Sequence, residues 1–568
     1  MKKQSFKGLA LIAVAGAMTT GCDLLKDLDY TVTPDPLEMH GDSVIVKVDI
    51  AVPEKGIRKK AYAEIQPALG EHALKPITIV GEKATANGKV VQFKPGGKVV
   101  YEDVIAYSPD MEVSELSITG KIFKGAKEKG ALEKTKIADA TIVTPFLVNK
   151  DYRVIYANDQ FQRVTQETFS AQINYLKNRH EVRKSELRMD DILAMEQFLA
   201  DAETNPKREI KNIKITGYAS IEGEEDNNNT LSQNRSNSAK EASMKIAAKK
   251  NVNNEFAKVD NSYTTTGKGE DYEGFKKSLL ASDMDKAEKD LILRILDMYT
   301  NSAQREKEIR NLGKTFTYLD KNVFPEQRRS EIVITYDQIG FSDEELVTLS
   351  KSNIDSLNLE EILFTATLTD DLNEKLRLYN EAERLFPDDY RAINNAGAIL
   401  YTQNKLNDAK TKFEKANSVQ ANPISKNNLA AIAGVNDERE DAKDLLAEAK
   451  GAGDEVGYNH GILDIQDGNY SSAISNFGGE ATFNKALAQL LSKDDNTAKS
   501  TIDASEDAET AQGYYMKAII GARQDKLDKV TSNLKSAFSK DASLKSKAAK
   551  DREFMKYMDN ASFTAIVQ

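Results

Sequence analysis

The stretch Asp389–Asn417 reads DYRAINNAGAILYTQNKLNDAKTKFEKAN and decides the fold of the C-terminal part of the chain. Small residues recur in it at helical spacing as Gly397, Ala409 and Ala416, and large apolar residues stand between them as Leu406 and Phe413. Small side chains let two helices approach closely, and an aromatic ring fills the space between one helix pair and the next. The spacing therefore predicts a helical hairpin.

The same pattern returns on both sides of this stretch. Its further positions are Tyr379, Ala382 and Pro387 upstream, then Gly461, Gly468, Tyr470, Ala473 and Phe477, with weaker copies near Ala442, Ala498 and Leu534–Ala537. The repeats resemble tetratricopeptide repeats, whose hairpins cannot bury their own faces and stack into a solenoid. The resemblance implies an all-α solenoid over 341–568 that presents a concave surface to a protein partner. The alternative is a helical bundle without a binding role.

Polar residues on the first helix of these hairpins are candidates for partner binding. We expect them to be exposed on the concave face, because the core positions belong to the small and aromatic residues. The candidates are Arg391, Asn394, Asn395 and Asn459.

A second informative stretch, Gly217–Ser236, reads GYASIEGEEDNNNTLSQNRS. Further along the chain stand the short runs GKGE over Gly267–Glu270 and RRSEI over Arg328–Ile332. Together they resemble the peptidoglycan-binding motifs of the OmpA C-terminal family. Positions that agree with the family pattern are Gly217, Gly223, Asn228, Leu231, Ser232 and Arg235. Ser220 stands where the family has Asp, and Asn227 stands where it has Tyr.

The resemblance implies a ligand site with Ser220, Asn228 and Arg235 as its candidate residues. In the family, Asp accepts from the ammonium group of a peptidoglycan stem peptide, and Arg binds the carboxylate through two donors. Ser220 cannot supply that negative charge, so an acidic turn (Glu222, Glu224–Asp226) is a candidate substitute. The alternatives are a solvated acidic loop and an arginine with a purely structural role.

The elements around these motifs predict an α/β OmpA-like domain over 165–340. Strands are predicted over 169–176, 210–220 and 330–336 and helices over 189–201 and 231–250, with a charged helical segment over 272–311. This alternation favours a sheet with helices packed on one face.

Before this domain the chain shows the two-residue period of half-buried strands. In Ser43–Val52, which reads SVIVKVDIAV, every second residue is apolar. Shorter runs follow at 76–80, 89–93, 98–107, 116–123 and 140–148, separated by turn signals such as Asn87-Gly88. Several strands at this spacing predict an all-β sandwich-like domain over 42–164.

The chain starts with lysines at positions 2, 3 and 7, continues with the apolar run Gly8–Met18 and reaches Cys22, its single cysteine. This order is typical of a secretory signal peptide, here 1–21, and resembles the lipobox of bacterial lipoproteins. The resemblance implies that Cys22 is acylated, with palmitate-type chains, after cleavage. We expect 22–41 to be a lipidated tether. The alternative is an ordinary secreted protein with a chance cysteine.

Composition argues against several functions. The net charge of −11 at pH 7 does not favour nucleic-acid binding. The four histidines, His40, His72, His180 and His460, have no metal-ligand spacing, and no acid/base pair is evident. We therefore expect neither enzymatic activity nor a cofactor or metal.

These observations predict a multidomain lipoprotein of the Bacteroidota type, anchored in the outer membrane and facing the periplasm. The periplasmic side is favoured because Asp23–Asp27 lacks the long acidic run that resembles surface-export signals. Its function would be a non-enzymatic envelope scaffold that links a membrane protein complex to peptidoglycan or to protein partners. The alternative is a surface-exposed adhesion, nutrient-uptake or secretion accessory whose OmpA-like fold no longer binds peptidoglycan.

Overall fold

The computed structural model describes residues 24–568, which form two compact units. Unit 1 joins the chain up to Asn158 to Asp371–Gln568, and unit 2 is Asp159–Asp370. The sheet-rich N-terminal region and the helical repeats therefore belong to one compact unit, with unit 2 inserted between them in sequence. The predicted boundary at 340 lies inside unit 2.

The N-terminal part of unit 1 is a ten-stranded sheet. Its strands are β1 (Asp29–Val32), β2 (Leu37–His40), β3 (Ser43–Val52), β4 (Ala61–Leu69), β5 (His72–Ala73), β6 (Ile77–Gly81), β7 (Lys89–Val91), β8 (Gly97–Ala106), β9 (Ser114–Lys124) and β10 (Lys127–Ile142). The order is β1-β3-β2-β10-β9-β4-β6-β7, with β5 beside β4 and β8 beside β3. Only the pairs β2–β10 and β6–β7 are parallel.

The strands of this sheet enclose one hydrophobic core. The alternating residues of β3, such as Val46 and Val48, belong to the same buried cluster as Ile65 of β4 and Ile118 of β9. The prediction of a sandwich differs from the structure, because β2 pairs with β3 on one side and with β10 on the other. The sheet is therefore continuous around its core instead of splitting into two separate sheets.

The predicted tether is wrong from Leu24 onward. Leu25 and Leu28 are 2% and 1% exposed, and both belong to the core of the sheet. The backbone N–H of Lys26 donates to the carbonyl of Gly56 at 2.7 Å. Burying two leucines favours a fixed chain over a mobile one. Cys22 lies outside the described residues.

Unit 2 contains a four-stranded sheet. Its strands are β11 (Val164–Asn174), β12 (Arg208–Ala219), β13 (Tyr263–Glu270) and β14 (Arg329–Ile339), in the order β11-β14-β12-β13. Helices α1 (Asp190–Thr204) and α2 (Glu225–Ala247) share a buried cluster with the apolar side chains of the sheet. Within α2, Ala239 and Ile246 contribute to this cluster, as their helical spacing predicts.

The charged segment of unit 2, predicted as helical over 272–311, and the residues after it up to β14 form a series of short helices rather than one long one. They are α3 (Tyr272–Ala281), α4 (Lys286–Met298), α5 (Ser302–Arg310), α6 (Lys314–Asn322) and α7 (Phe324–Gln327), and α8 (Asp343–Ser352) and α9 (Leu359–Thr367) follow β14. Side-chain caps at Asp271, Asp285 and Asn301 begin α3, α4 and α5. These caps satisfy free backbone N–H groups and so divide the segment.

The C-terminal part of unit 1 is an array of helical hairpins, which confirms the predicted helical repeats. Its helices are α10 (Leu372–Leu385), α11 (Tyr390–Thr402), α12 (Leu406–Val419), α13 (Pro423–Val435), α14 (Arg439–Glu448), α15 (Asp454–Gln466), α16 (Tyr470–Asn476), α17 (Phe483–Leu491), α18 (Asp495–Ala504), α19 (Ala511–Arg523), α20 (Leu527–Lys540), α21 (Leu544–Ala548) and α22 (Ala561–Val567). Aromatic rings fill the spaces left by glycines, as where Gly397 faces Phe413 and Gly461 faces Phe477. Within residues 24–568, no helix combines the length and apolar character needed to cross a membrane.

The sheet region and the repeats of unit 1 are in direct contact. The hydroxyl of Tyr470 accepts a hydrogen bond from the backbone N–H of Gly41 at 3.4 Å. A second contact joins Thr144 to the buried carboxylate of Glu553, which also pairs with Arg523. The repeats therefore support the sheet as well as one another.

Candidate functional site

Asparagine side chains line one groove of the helical repeats. They project from the first helices of four successive hairpins, α11, α13, α15 and α17, and we call them the asparagine row: Asn394, Asn395, Asn427, Asn428, Asn459 and Asn484. All six are at most 3% exposed. Buried carboxamides need hydrogen-bond partners, because an unpaired buried polar group is costly.

Their partner is an extended stretch of the same chain, Asn149–Asn158, which we call the groove segment. It contains neither helix nor strand. Four of the asparagines each bind one of its residues through both backbone groups, accepting from the N–H and donating to the carbonyl. The pairs, with these two distances, are Asn484 with Asn149 (2.8 and 2.9 Å), Asn459 with Arg153 (2.7 and 2.8 Å), Asn428 with Ile155 (2.6 and 2.8 Å) and Asn395 with Ala157 (2.7 and 2.9 Å).

This pairing imitates a β-sheet. Residues 153, 155 and 157 alternate with period two, as they do along a strand that pairs on one side. A carboxamide offers one acceptor and two donors, so it can take the place of a neighbouring strand's backbone. The asparagine row therefore holds the groove segment through its extended main chain.

The asparagine row is also connected internally. Asn394 donates to the Ile155 carbonyl at 3.0 Å and accepts from Asn428 at 3.0 Å. Asn427 repeats this arrangement, donating to the Arg153 carbonyl at 3.0 Å and accepting from Asn459 at 3.0 Å. Carboxamides of neighbouring hairpins therefore position one another from α11 to α15, and Asn484 of α17 instead donates to the Tyr458 hydroxyl.

Tyr152 gives the groove a side-chain contact. Its ring lies over Gly434 so closely that a Cβ at that position would come within 2.4 Å of a ring atom. Its hydroxyl donates to Gln466 Oε1 at 3.1 Å. The residue is 3% exposed, so the groove encloses it almost completely.

Arg153 and Asp151 add charge recognition. The Arg153 guanidinium stacks on the Tyr458 ring, with its Cζ atom 3.6 Å from the ring centroid. The same guanidinium donates two hydrogen bonds to the Glu480 carboxylate, at 2.7 and 2.9 Å. This pairing lowers the pKa of Glu480. Asp151 accepts from the Tyr458 hydroxyl at 2.7 Å, and burial raises the pKa of its carboxyl group. The charge pair of Arg153 with Glu480 and the neutral donors that bond Asp151 therefore fix the side chains of the groove segment.

The structure places the predicted partner-binding residues in this groove. The expectation that Asn394, Asn395 and Asn459 are exposed is wrong, because the groove segment covers them. Arg391 lies at the end of the segment and donates to the Asn158 carbonyl at 3.5 Å. Whether these residues bind a partner protein stays a prediction.

Sequence reasoning missed half of the asparagine row and the segment that it binds. Asn427, Asn428 and Asn484 were not among the candidates. A signal for two of them exists, since 33 residues separate Asn394 from Asn427 and Asn395 from Asn428. The groove segment contains Tyr152, Val154, Ile155 and Tyr156, a composition typical of a strand, but nothing local shows that side chains of the repeats replace its neighbouring strand.

Arg235, predicted to bind a ligand carboxylate in unit 2, is used within the chain. It is 1% exposed, and its guanidinium donates to the carbonyls of Leu176, Tyr218 and Arg179 at 3.3, 2.8 and 3.0 Å. Burial lowers its pKa to about 10. Three backbone carbonyls thus occupy guanidinium donors of Arg235 that a ligand carboxylate would need.

Ser220 and Asn228 are likewise buried and have internal partners. The Ser220 hydroxyl accepts from Arg328 Nε at 3.3 Å, and Arg328 also donates to Glu222 at 2.6 Å. Asn228 donates to the Ser220 carbonyl at 3.2 Å and to Glu270 at 2.9 Å. Of the acidic turn, Glu222 is buried against Arg328, whereas Glu224–Asp226 are exposed. Glu222 is therefore paired with Arg328, and the donors of Arg235 are taken up by backbone carbonyls.

Within residues 24–568, no group of three or more His, Cys, Asp or Glu side chains could hold a metal ion.

The solved structures similar to this chain include tetratricopeptide-repeat proteins. A repeat protein from Parabacteroides merdae is 14% identical with a TM-score of 0.28, covering 44% of this chain and 98% of that chain. YrrB, described as a tetratricopeptide-repeat protein with an unusual peptide-binding site, is 17% identical with a TM-score of 0.22, covering 35% and 94%.

The Cut9-Hcn1 hetero-tetramer of APC/C is 9% identical with a TM-score of 0.32, and the match covers 40% of this chain but only 45% of that one. TM-scores this low do not establish a shared fold, so the repeat architecture is established by the hairpins themselves. No protein-family model and no curated protein matches the chain. The resemblance to the OmpA C-terminal family stays a prediction.

Proposed function

We propose that this protein is a non-enzymatic scaffold, anchored by lipid at Cys22 in a bacterial outer membrane, that holds protein partners through its helical repeats. The observation that carries this proposal is the asparagine row, because it binds an extended main chain through paired donor and acceptor contacts. Such contacts recognise a peptide by its backbone. Neither a nucleophile nor a proton donor is needed for this role.

The groove segment determines how a partner could use the repeats. It follows the sheet region in sequence and binds the groove of the repeats through hydrogen bonds, all within unit 1. A partner peptide would either displace it or dock on the outer helices. Two variants distinguish these routes. Tyr152→Ala weakens the segment and leaves the asparagines intact, whereas Asn428→Ala weakens the groove itself.

Partner capture from detergent-solubilised envelopes measures the difference. Displacement predicts increased capture by Tyr152→Ala, relative to the parent chain, and a smaller increase or none by Asn428→Ala, which loosens the groove segment but also removes a contact with the partner. Docking on the outer helices predicts equal capture by all three. If the parent chain captures no envelope protein above a matched lipoprotein control, the scaffold role is contradicted.

Lipid attachment is tested separately. Cys22→Ser should move the protein from the membrane to the soluble envelope fraction, because several acyl chains anchor a protein almost permanently. Equal membrane flotation of the variant and the parent chain would contradict attachment at this residue. Protease treatment of intact cells tests the side of the membrane, since the periplasmic orientation predicts protection.

Peptidoglycan contact through unit 2 is the second candidate function. The motifs around Ser220, Asn228 and Arg235 favour it, whereas the internal pairing of all three favours an OmpA-like fold that does not bind the cell wall. We therefore expect weak binding of the parent chain to purified sacculi. Strong binding would make the wall, rather than a protein, the principal partner.

A further inference from the structure

The sheet region of unit 1 carries a basic cleft that the scaffold role does not use. The cleft has a volume of about 560 Å³. Its cationic lining residues are Arg58, Lys59, Lys60, Lys83 and Lys124, and its apolar lining residues are Leu24, Ala61 and Phe93. An apolar surface beside several cations suits a ligand with an acyl part and a negative charge.

The start of the described chain is attached to this cleft. The backbone N–H of Arg58 donates to the carbonyl of Leu24 at 2.9 Å, next to the bond between Lys26 and Gly56. Residues 24–26 therefore run beside the loop that carries the cations. Lys124 joins this group from β9, where it pairs in register with Ala61.

Much of the positive charge in the cleft is not neutralised by the protein. Lys59 pairs with Glu82 at 2.9 Å. For Lys60, Lys83 and Lys124, no ion pair occurs with any residue of the described chain, 24–568, and all three are exposed. The whole protein carries a net charge of −11, so this cleft is a local concentration of cations on an acidic molecule.

The position of Cys22 indicates what faces the cleft, a step that rests on the lipid attachment proposed above. Cys22 precedes Leu24 by two residues. Because a chain spans at most about 3.6 Å per residue, a lipid anchor at residue 22 would keep Leu24 close to the membrane surface. At physiological salt, charges interact over about 8 Å, so cations held beside such an anchor would attract anionic lipid headgroups.

We propose that the basic cleft binds the phosphate groups of anionic lipid headgroups in the membrane that holds Cys22. The cations contact the phosphate, and Leu24 and Phe93 contact the first carbons of the lipid. Acyl chains alone leave a protein free to rotate about its attachment point. Headgroup binding at the cleft would hold unit 1 in one orientation on the membrane.

Vesicle binding tests this proposal without the lipid anchor. The probe is the chain from residue 22 onward carrying Cys22→Ser, mixed with phosphatidylcholine vesicles that contain or lack phosphatidylglycerol. We expect binding only to the phosphatidylglycerol vesicles, with a loss at high salt. Replacing Lys60, Lys83 and Lys124 together by Gln should weaken it roughly a hundredfold, since each cation near an anionic surface contributes about fivefold.

A matched control removes the same charge elsewhere. Lys410, Lys535 and Lys540 are exposed lysines of the repeats, and their joint change to Gln should leave vesicle binding within about twofold. A local reporter is available because the chain has no tryptophan. Phe93→Trp should show a blue-shifted emission on binding, whereas Tyr514→Trp in α19 should not.

Three outcomes would overturn the proposal. The first is equal binding to both kinds of vesicle, and the second is an equal loss in the control variant. The third is displacement by inorganic phosphate at an ionic strength where chloride has no effect, which would indicate a site for free phosphate. If Cys22 proves unmodified in cells while vesicle binding follows the cleft lysines, the anchor is wrong and the headgroup site remains.

Discussion

The carboxamide of Asn428 accepts a hydrogen bond from the backbone N–H of Ile155 at 2.6 Å and donates one to the carbonyl of the same residue at 2.8 Å. Both residues are buried. A single side chain thus bonds both main-chain polar groups of a residue far away in sequence, and Asn394 donates a second hydrogen bond to the same carbonyl. The repeats use this relationship four times, so the groove segment behaves as an added strand held by side chains.

The first prediction concerns this pair. Asn428→Ala leaves the buried N–H of Ile155 without a partner, which costs about 1–3 kcal/mol. Amide exchange reports the free energy of local opening. Exchange over residues 149–158 should therefore become roughly tenfold to a hundredfold faster. Hydrogen exchange read by mass spectrometry measures this change.

The control for this prediction is Asn407→Ala, an asparagine of α12 that is exposed. Its exchange over 149–158 should match that of the parent chain, because exposed substitutions rarely exceed about 0.5 kcal/mol. Unchanged exchange in Asn428→Ala would contradict a stabilising role for its pairing with Ile155.

The second prediction uses the contact between Tyr152 and Gly434. Gly434→Ala places a methyl group 2.4 Å from a ring atom, so the ring must move, at a cost of about 1–3 kcal/mol. Tyr152→Ala removes the buried ring and should cost about 3–5 kcal/mol. In the Tyr152→Ala background the methyl has room, so Gly434→Ala should then cost almost nothing.

A double-mutant cycle in urea unfolding measures this coupling. Gly461→Ala is the matched comparison, since that glycine faces Phe477 instead of Tyr152. Its cost should be the same with and without Tyr152. Additive effects of Gly434→Ala and Tyr152→Ala would contradict the contact.

Much of the fold follows from periodicity, whereas the site does not. The strand Ser43–Val52 and the hairpin of Gly397 and Phe413 are fixed by local spacing, so the sequence predicts them. The occupation of the groove depends on residues hundreds of positions apart, such as Arg153 and Asn459. No local pattern reports that kind of pairing.

Unexpected burial explains why the predictions for polar residues differ from the structure. Asn394 and Arg235 are typical surface residues by composition, and the structure buries both because backbone groups of the same chain satisfy them. A polar residue with a complete set of internal partners cannot be distinguished from an exposed one in a single sequence.

The third prediction concerns the altered site of unit 2. Ser220→Asp adds the carboxylate that the OmpA family pattern has at this position, but Arg328 already donates to this side chain. The new charge should therefore pair with Arg328, and sacculus binding should rise only slightly. Ser220→Asp combined with Arg328→Gln should bind more strongly, by roughly tenfold for one charge-assisted contact.

Sacculus pull-down compares the two variants, with Arg328→Gln alone as the control. Thermal unfolding of each variant must accompany it, because Arg328 is buried and pairs with Glu222 and Asp320. Equal binding by all variants that remain folded would mean that the wall is not a ligand of this site.

The fourth prediction concerns pH and the buried carboxyl group of Asp551. Burial, together with the nearby Glu553, raises its pKa from 3.8 to about 6, and its side chain accepts from the Tyr515 hydroxyl at 2.7 Å. Between these pKa values the folded chain holds a proton that the unfolded chain has lost. The free energy of unfolding therefore falls as pH rises through this range.

Asp551→Asn removes the titration and keeps the size of the side chain. Between about pH 7 and about pH 5, the parent chain should gain roughly 1 kcal/mol of unfolding free energy relative to this variant, since one pKa unit corresponds to about 1.4 kcal/mol. Urea unfolding at the two pH values measures the unfolding free energy of each protein. Subtracting the change in the variant from the change in the parent chain removes the contributions of titrating groups that both proteins share. Asp528→Asn, an exposed change in α20, should leave the pH dependence of the parent chain unaltered. If Asp551→Asn retains the pH dependence of the parent chain, the carboxyl group of Asp551 ionises normally. The burial of the C-terminal helices against Tyr515 is then not coupled to proton binding.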